Sequence, residues 1–360
     1  MVRGWAGHAD GRHHGAHGAE VLRALGGTSN DFLDFSQNIN PLGAPARAVE
    51  AARNAGFAVY PDLGYADLRK ALGEYVGVSD DYVLPTNGGA EALFLAARAA
   101  AEARSGKKAV ILEPTFSEYA AAARAAGFEV ERRVARRAED AFTMDPETLG
   151  DLADVGLVFL CNPNNPTGGA MTRDAMLEVS RCLAEAGVVL VVDEAFADFV
   201  PGVSVASRVG LGGFENLLVA RSFTKFFGIP GLRLGALISA DTGLAGAFQP
   251  SWSVNAVAAA AGIAAASDQA FTKSSISEVT WLREDLYAEL EALPGIRPYP
   301  GAANFLLVEG PDTLTERLAR RRVLVRSCEP FLGLGTGYFR VAVRTMEENR
   351  LLVEAIREEL

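Results

Sequence analysis

From about residue 50 to 250 the chain alternates between short apolar runs and alanine-rich helical stretches. The apolar runs are "YVLP" near 82, "AVILE" near 109, "LVFLC" at 157, "VVLVVD" at 188, "NLLVA" at 216 and "LGALIS" at 234. Continuous apolar runs separated by helices predict strands covered on both faces, hence a mostly parallel α/β sheet. After about 268 the pattern changes. A long polar-apolar helix, "SSISEVTWLREDLYAELEAL", precedes "ANFLLVEG", a short helix, "RVLVRS", "GYFRVAV" and a terminal helix. That order predicts a second, smaller α+β unit with an antiparallel sheet. The expected division is an N-terminal segment over 1–48 packing on the smaller unit, a large domain over 49–262 and the small domain over 263–360. No period of 20 to 50 residues repeats, which excludes a solenoid.

A chain of 360 residues with 49% hydrophobic and 22% charged positions fits this two-unit globular reading. Its net charge of −11 argues against a nucleic-acid binder but leaves room for a local basic pocket. Cys161, Cys182 and Cys328 are scattered and odd in number, with no disulfide or metal pattern, so a cytoplasmic setting is expected. The first twenty residues contain no apolar core of a secretory signal. The run "AVAAAAGIAAA" is too short and alanine-rich to span a bilayer and predicts a buried helix. All four histidines, His8, His13, His14 and His17, stand in those first twenty residues, where the plain expectation is a solvated terminus.

The candidate chemistry gathers at strand ends, where open α/β sheets bind ligands. "VVLVVDEAF" carries an apolar strand into Asp193 and Glu194, and a carboxylate there is costly without a partner. "FLCNPNNPTGG" ends a strand on Asn162, Asn164 and Asn165. "LPTNGGAEAL" ends another, with Gly88 and Gly89 leading into a helix expected at about Ala90, whose free N–H groups suit a phosphate. "VARSFTKFF" ends a fourth with Ser222, Thr224 and Lys225. Singly, each is an ordinary cap, turn residue or solvated charge. Jointly they supply an amine, a carboxylate, an amide and a phosphate cradle, the parts that hold pyridoxal phosphate.

These motifs resemble, along essentially the whole chain, the fold-type I pyridoxal-phosphate enzymes of the aminotransferase class I/II superfamily. The resemblance implies a large domain with a mostly parallel seven-stranded sheet. It makes Lys225 the lysine that binds the cofactor covalently and Asp193 the partner of its ring nitrogen. Ser222 and Arg233 are then phosphate ligands, helped by Gly89, Ala90 and Thr224. Asn165 lies beside the ring oxygen, and Phe116 in "EPTFSEY" is stacked on the ring. Tyr60 in "YPDLGY" is implied to reach the phosphate of a neighbouring subunit, making the active unit a homodimer.

Two relatives within that superfamily compete, the histidinol-phosphate aminotransferases and the threonine-phosphate decarboxylases. Both take a small phosphorylated amine, and Arg326 and Arg340 match the anion-binding pair of either. Four features favour the decarboxylases, which make the aminopropanol phosphate of cobalamin assembly. "DFSQNINPLG" resembles their N-terminal loop, with Asn38 touching substrate. The histidine cluster resembles their phosphate-binding "HGG", with His14 or His17 as counterpart. Phe196 replaces the tyrosine common in aminotransferases, and "FFGIPGLRLG" with "PSWSVNAVA" looks closer to the decarboxylases. A non-enzymatic regulator on the same fold would carry an N-terminal helix-turn-helix domain, for which the chain has no room.

Overall fold

A computed structural model describes residues 31–103, 106–135 and 146–360. A short strand, β1 (Leu33–Asp34), precedes the large sheet. That sheet is built from β2 (Val83–Asn87), β3 (Lys108–Glu113), β4 (Glu129–Val134), β5 (Val155–Cys161), β6 (Val189–Asp193), β7 (Leu217–Ser222) and β8 (Leu234–Ile238), in the order β2-β8-β7-β6-β5-β3-β4. Neighbours are parallel except that β8 runs antiparallel to both β2 and β7. All six apolar runs are strands. β5 shows why: it is buried at every position. Val158 and Leu160 face one core with Met176 and Leu183, while Leu157 and Phe159 face another with Ala92 and Ala96 of the helix Gly88–Ala103. Each such side chain contributes roughly 1.5–3 kcal/mol of burial. The seventh strand, "EVERRV", lies at the sheet edge and is partly exposed throughout, as edge strands commonly are.

The smaller unit has a sheet in the order β12-β13-β10-β9, from β9 (Arg297–Pro298), β10 (Phe305–Glu309), β12 (Arg326–Ser327) and β13 (Tyr338–Ala342), all antiparallel. The run "RVLVRS" is split, because its first part, β11 (Val323–Leu324), pairs with β1 instead. Helices Gln269–Glu291 and Met346–Glu358 cover this sheet, the second opened by a Thr345–Glu348 capping box. The described part of the N-terminal segment, a strap over 31–48, touches both units. Phe35 is in the small core, whereas Ala48 is in the large one. The expected boundaries at 48 and 262 fall inside the helices Ala46–Asn54 and Ala256–Ala266. No described helix is long and apolar enough to cross a membrane.

Glu194, just past β6, is buried at 1% exposure and answered by Arg221 of β7 at 2.7 Å. Arg221 also pairs with buried Asp198, and Glu194 accepts from Ser204 and the Val205 N–H. Removing the cation strands two carboxylates. Arg221→Ala is expected to lower unfolding free energy by about 3–5 kcal/mol, read from urea unfolding curves.

Candidate active site

β7 ends at Ser222, and the chain enters a single helical turn, Phe223–Phe226, whose apolar residues are buried. Lys225 Nζ donates to Thr224 Oγ1 at 3.0 Å, and Thr224 Oγ1 lies 2.9 Å from Ser222 Oγ. Burial pushes the amine down to about 8, helped by the Arg233 cation and opposed by Asp193. An ordinary surface lysine would be fully charged near neutrality. This one holds an appreciable neutral, nucleophilic fraction.

Asp193 ends the neighbouring strand β6 and is also buried, which raises its pKa. It accepts from Tyr119 Oη at 2.7 Å and from the Ala195 N–H at 2.9 Å. A carboxylate so buried is stabilised by a cation at the same place, such as a protonated ring nitrogen. Tyr119 was not readable as a site residue. Its ring is fully buried and stacked on Phe159, with centroids 5.2 Å apart, and Phe116 meets its edge at 5.8 Å. The only sign is the i, i+3 spacing of Phe116 and Tyr119.

The phosphate cradle is tighter than expected. The helix begins at Gly88, two residues before the predicted start at Ala90, so both glycines lie in its first turn. A Cβ on Gly88 would stand 2.5 Å from Arg233 Nη2, and one on Gly89 would stand 2.9 Å from Ser222 Cβ. Gly88 also has a φ of +79°, and Arg233 itself is held left-handed at φ +64°. The glycines thus let Arg233 and Ser222 close on the free N–H groups of the helix, a cradle for a dianion. Gly89→Ala is expected to push Ser222 away and weaken pyridoxal phosphate binding at least about tenfold, a loss of some 1.4 kcal/mol. Titrating the cofactor-free protein with pyridoxal phosphate checks this.

The arginine pair stands on the small sheet. Arg326 of β12 lies directly opposite Arg340 of β13 in the strand register. Like charges so placed repel, and both side chains are buried. Arg340 donates to the Ser36 carbonyl at 2.7 Å and to Asn165 Oδ1, but its Nε has no partner. Arg326 Nη2 is also without one, as are both amide atoms of Asn38, which is only 4% exposed. No carboxylate among the described residues forms an ion pair with either arginine. Burial pushes Arg340 down to about 10 and lowers Arg326 as well. Two facing buried cations with no carboxylate partner among the described residues suit an anionic ligand.

Phe196 packs edge-on against Phe305 at 4.9 Å, and Arg340 lies over the same Phe305 ring at 5.4 Å. Position 196 therefore offers packing and no hydroxyl. Tyr60 stands apart from the buried groups around Lys225. It is 78% exposed and packed on Trp252 at 4.6 Å, within an exposed apolar group that includes Phe57, Val59 and Leu63. His14 and His17 lie outside the described residues.

The mostly parallel sheet, the lysine just past a strand end, the buried aspartate and the glycine cradle together define a fold-type I pyridoxal-phosphate enzyme. The profile of the aminotransferase class I and II family matches residues 28–356, and the chain belongs to that family. It is 36% identical over 359 residues to a threonine-phosphate decarboxylase of Salmonella typhimurium, covering 96% of each chain. It is 31% identical over 352 residues to a histidinol-phosphate aminotransferase of Methanothermobacter thermautotrophicus, covering 94% of this chain and 92% of that one. The crystal structure of the histidinol-phosphate aminotransferase from Clostridium acetobutylicum superposes with a TM-score of 0.82 at 28% identity, over 91% of this chain and 98% of that one.

Proposed function

We propose that the protein decarboxylates O-phospho-L-threonine, or a close phosphorylated amino acid, to an aminopropanol phosphate of the kind used in cobalamin assembly. The observation that carries this reading is the buried Arg326–Arg340 pair, with the unsatisfied Asn38 amide on the strap that Arg340 grips at Ser36. A substrate with a carboxylate and a phosphate provides two anionic groups for the two cations. Pyridoxal phosphate, when bound, supplies the electron sink for the bond broken at Cα. Lys225 is the residue that would hold it, Asp193 would face its ring nitrogen with Asn165, Phe116 and Phe196 around the ring, and Ser222, Thr224, Arg233, Gly89 and Ala90 would take its phosphate. Arg340 would bind the substrate carboxylate and fix its orientation. Arg326, Asn38 and one of His14 or His17 hold the substrate phosphate. Where carbon dioxide leaves, the protonated Lys225 Nζ would supply the proton that Cα takes up, a role suited to an amine that titrates near 8.

The proposal includes a cytoplasmic homodimer in which Tyr60 of one subunit completes the phosphate site of the other. The exposed apolar group around Tyr60 and Trp252 supports a second copy as its cover. A second reading, transamination of a histidinol-phosphate-type amine with 2-oxoglutarate, is favoured by the similarity to the Methanothermobacter enzyme. The phosphate site is tested by comparing O-phosphothreonine with threonine. The ester is expected to react with the higher kcat/KM by at least about a hundredfold, roughly 2.7 kcal/mol. Equal rates on both would remove the phosphate site.

A further inference from the structure

Asn40 is buried at 3% exposure, and its backbone and side-chain polar groups are all engaged. Its backbone N–H donates to the Lys225 carbonyl at 3.0 Å, and its Nδ2 donates to the Phe226 carbonyl at 2.8 Å. Nδ2 also reaches Ser275 Oγ at 2.9 Å, while Oδ1 accepts from the Leu42 N–H at 3.0 Å. The Asn40 carbonyl accepts from the Gly43 N–H at 3.0 Å, closing a turn. That turn is pressed against the turn after the lysine, since a Cβ on Gly228 would stand 2.5 Å from the Gly43 carbonyl oxygen. A single helical turn such as Phe223–Phe226 leaves its last carbonyls short of intrahelical partners, and within its own segment the Lys225 carbonyl accepts only a long bond from the Gly228 N–H at 3.4 Å. Asn40 supplies partners for two of them. Further along the strap, Ser36 is bonded to Arg340, and the unsatisfied Asn38 lies between the two anchors.

We propose that Asn40 is a positioning residue for Lys225, locking the turn that bears the amine to the strap that presents Asn38, so that the two act as one body. The inference rests on Lys225 being the cofactor-binding amine. It makes the strap part of the catalytic geometry, because a reacting amine displaced by about 1 Å loses much of its advantage.

The test compares Asn40→Ala and the isosteric Asn40→Asp, which loses the Nδ2 donors, with Ser275→Ala, which removes only the bond to the helix Gln269–Glu291. In cofactor-free protein, acylation of Lys225 by a small reagent is followed against pH by peptide mapping. The wild-type midpoint is expected near 8. Both Asn40 variants should raise it by at least about one unit, as water reaches the amine. In reconstituted protein they should lower kcat about tenfold or more, with KM changed by less than about threefold. Ser275→Ala should leave midpoint and kcat at wild-type values. If the Asn40 variants lose only thermal stability and keep midpoint and kcat, the residue is merely structural and the proposal is overturned. A shift of equal size in Ser275→Ala would overturn it too. If wild type forms no covalent adduct at Lys225, the lysine reading fails instead, so the two failures are separable.

Discussion

Lys225→Ala is expected to bind pyridoxal phosphate only reversibly and to lose at least about a thousandfold in turnover. Borohydride reduction followed by mass spectrometry should find the pyridoxyl group on Lys225 in wild type and nowhere in the variant. A lysine side chain enclosed in the turn after β7, bonded among the described residues only to Thr224 and flanked by Arg233, keeps its charge poorly, so its amine is available as a nucleophile near neutral pH. The sign follows directly. The folded pKa lies below the ordinary 10.5, so the neutral form gains between about 8 and 10.5, and modification of the cofactor-free amine should accelerate as pH rises through 8. A midpoint near 10.5 would mean that the lysine is solvated.

Arg340→Ala should produce the second large effect, a fall of about a hundredfold in kcat, roughly 2.7 kcal/mol. Arg340 spans three parts of the molecule: its own strand β13, the strap at Ser36 and the turn at Asn165. On the proposed reading, removing it frees the substrate carboxylate and releases Asn165 together. Arg326, whose Nη2 has no protein partner, has less structure to lose, so Arg326→Ala should act mainly by raising KM. Steady-state kinetics on O-phosphothreonine separates the two. Equal effects on kcat and KM in both variants would mean that the pair binds one anion jointly rather than two separately.

These elements differ in how far the sequence exposes them. β5 and β6 are readable because both faces are covered and every position before the terminal Asp193 of β6 is apolar. β4 is not, since an edge strand written "EVERRV" has no continuous apolar run. The antiparallel β8 is readable as a strand but not in direction, which depends on its crossing between β2 and β7. Lys225 and Asp193 stand out because charge at the end of an apolar strand needs a reason. Tyr119 and Asn40 do not stand out. One is a tyrosine in an alanine-rich helix, the other a turn residue, and their roles arise only when distant segments meet. Likewise, the arginines are visible singly in "VLVRSC" and "YFRVAV", but their facing register requires the antiparallel pairing of β12 with β13.

The most direct test incubates the purified protein, loaded with pyridoxal phosphate, with O-phospho-L-threonine and no keto acid. Trapped carbon dioxide is counted and the phosphorylated product identified by mass spectrometry. The expected result is one carbon dioxide per aminopropanol phosphate, with no dependence on 2-oxoglutarate. Absence of carbon dioxide, together with 2-oxoglutarate-dependent conversion of histidinol phosphate and formation of glutamate, would contradict the decarboxylase reading and establish the aminotransferase.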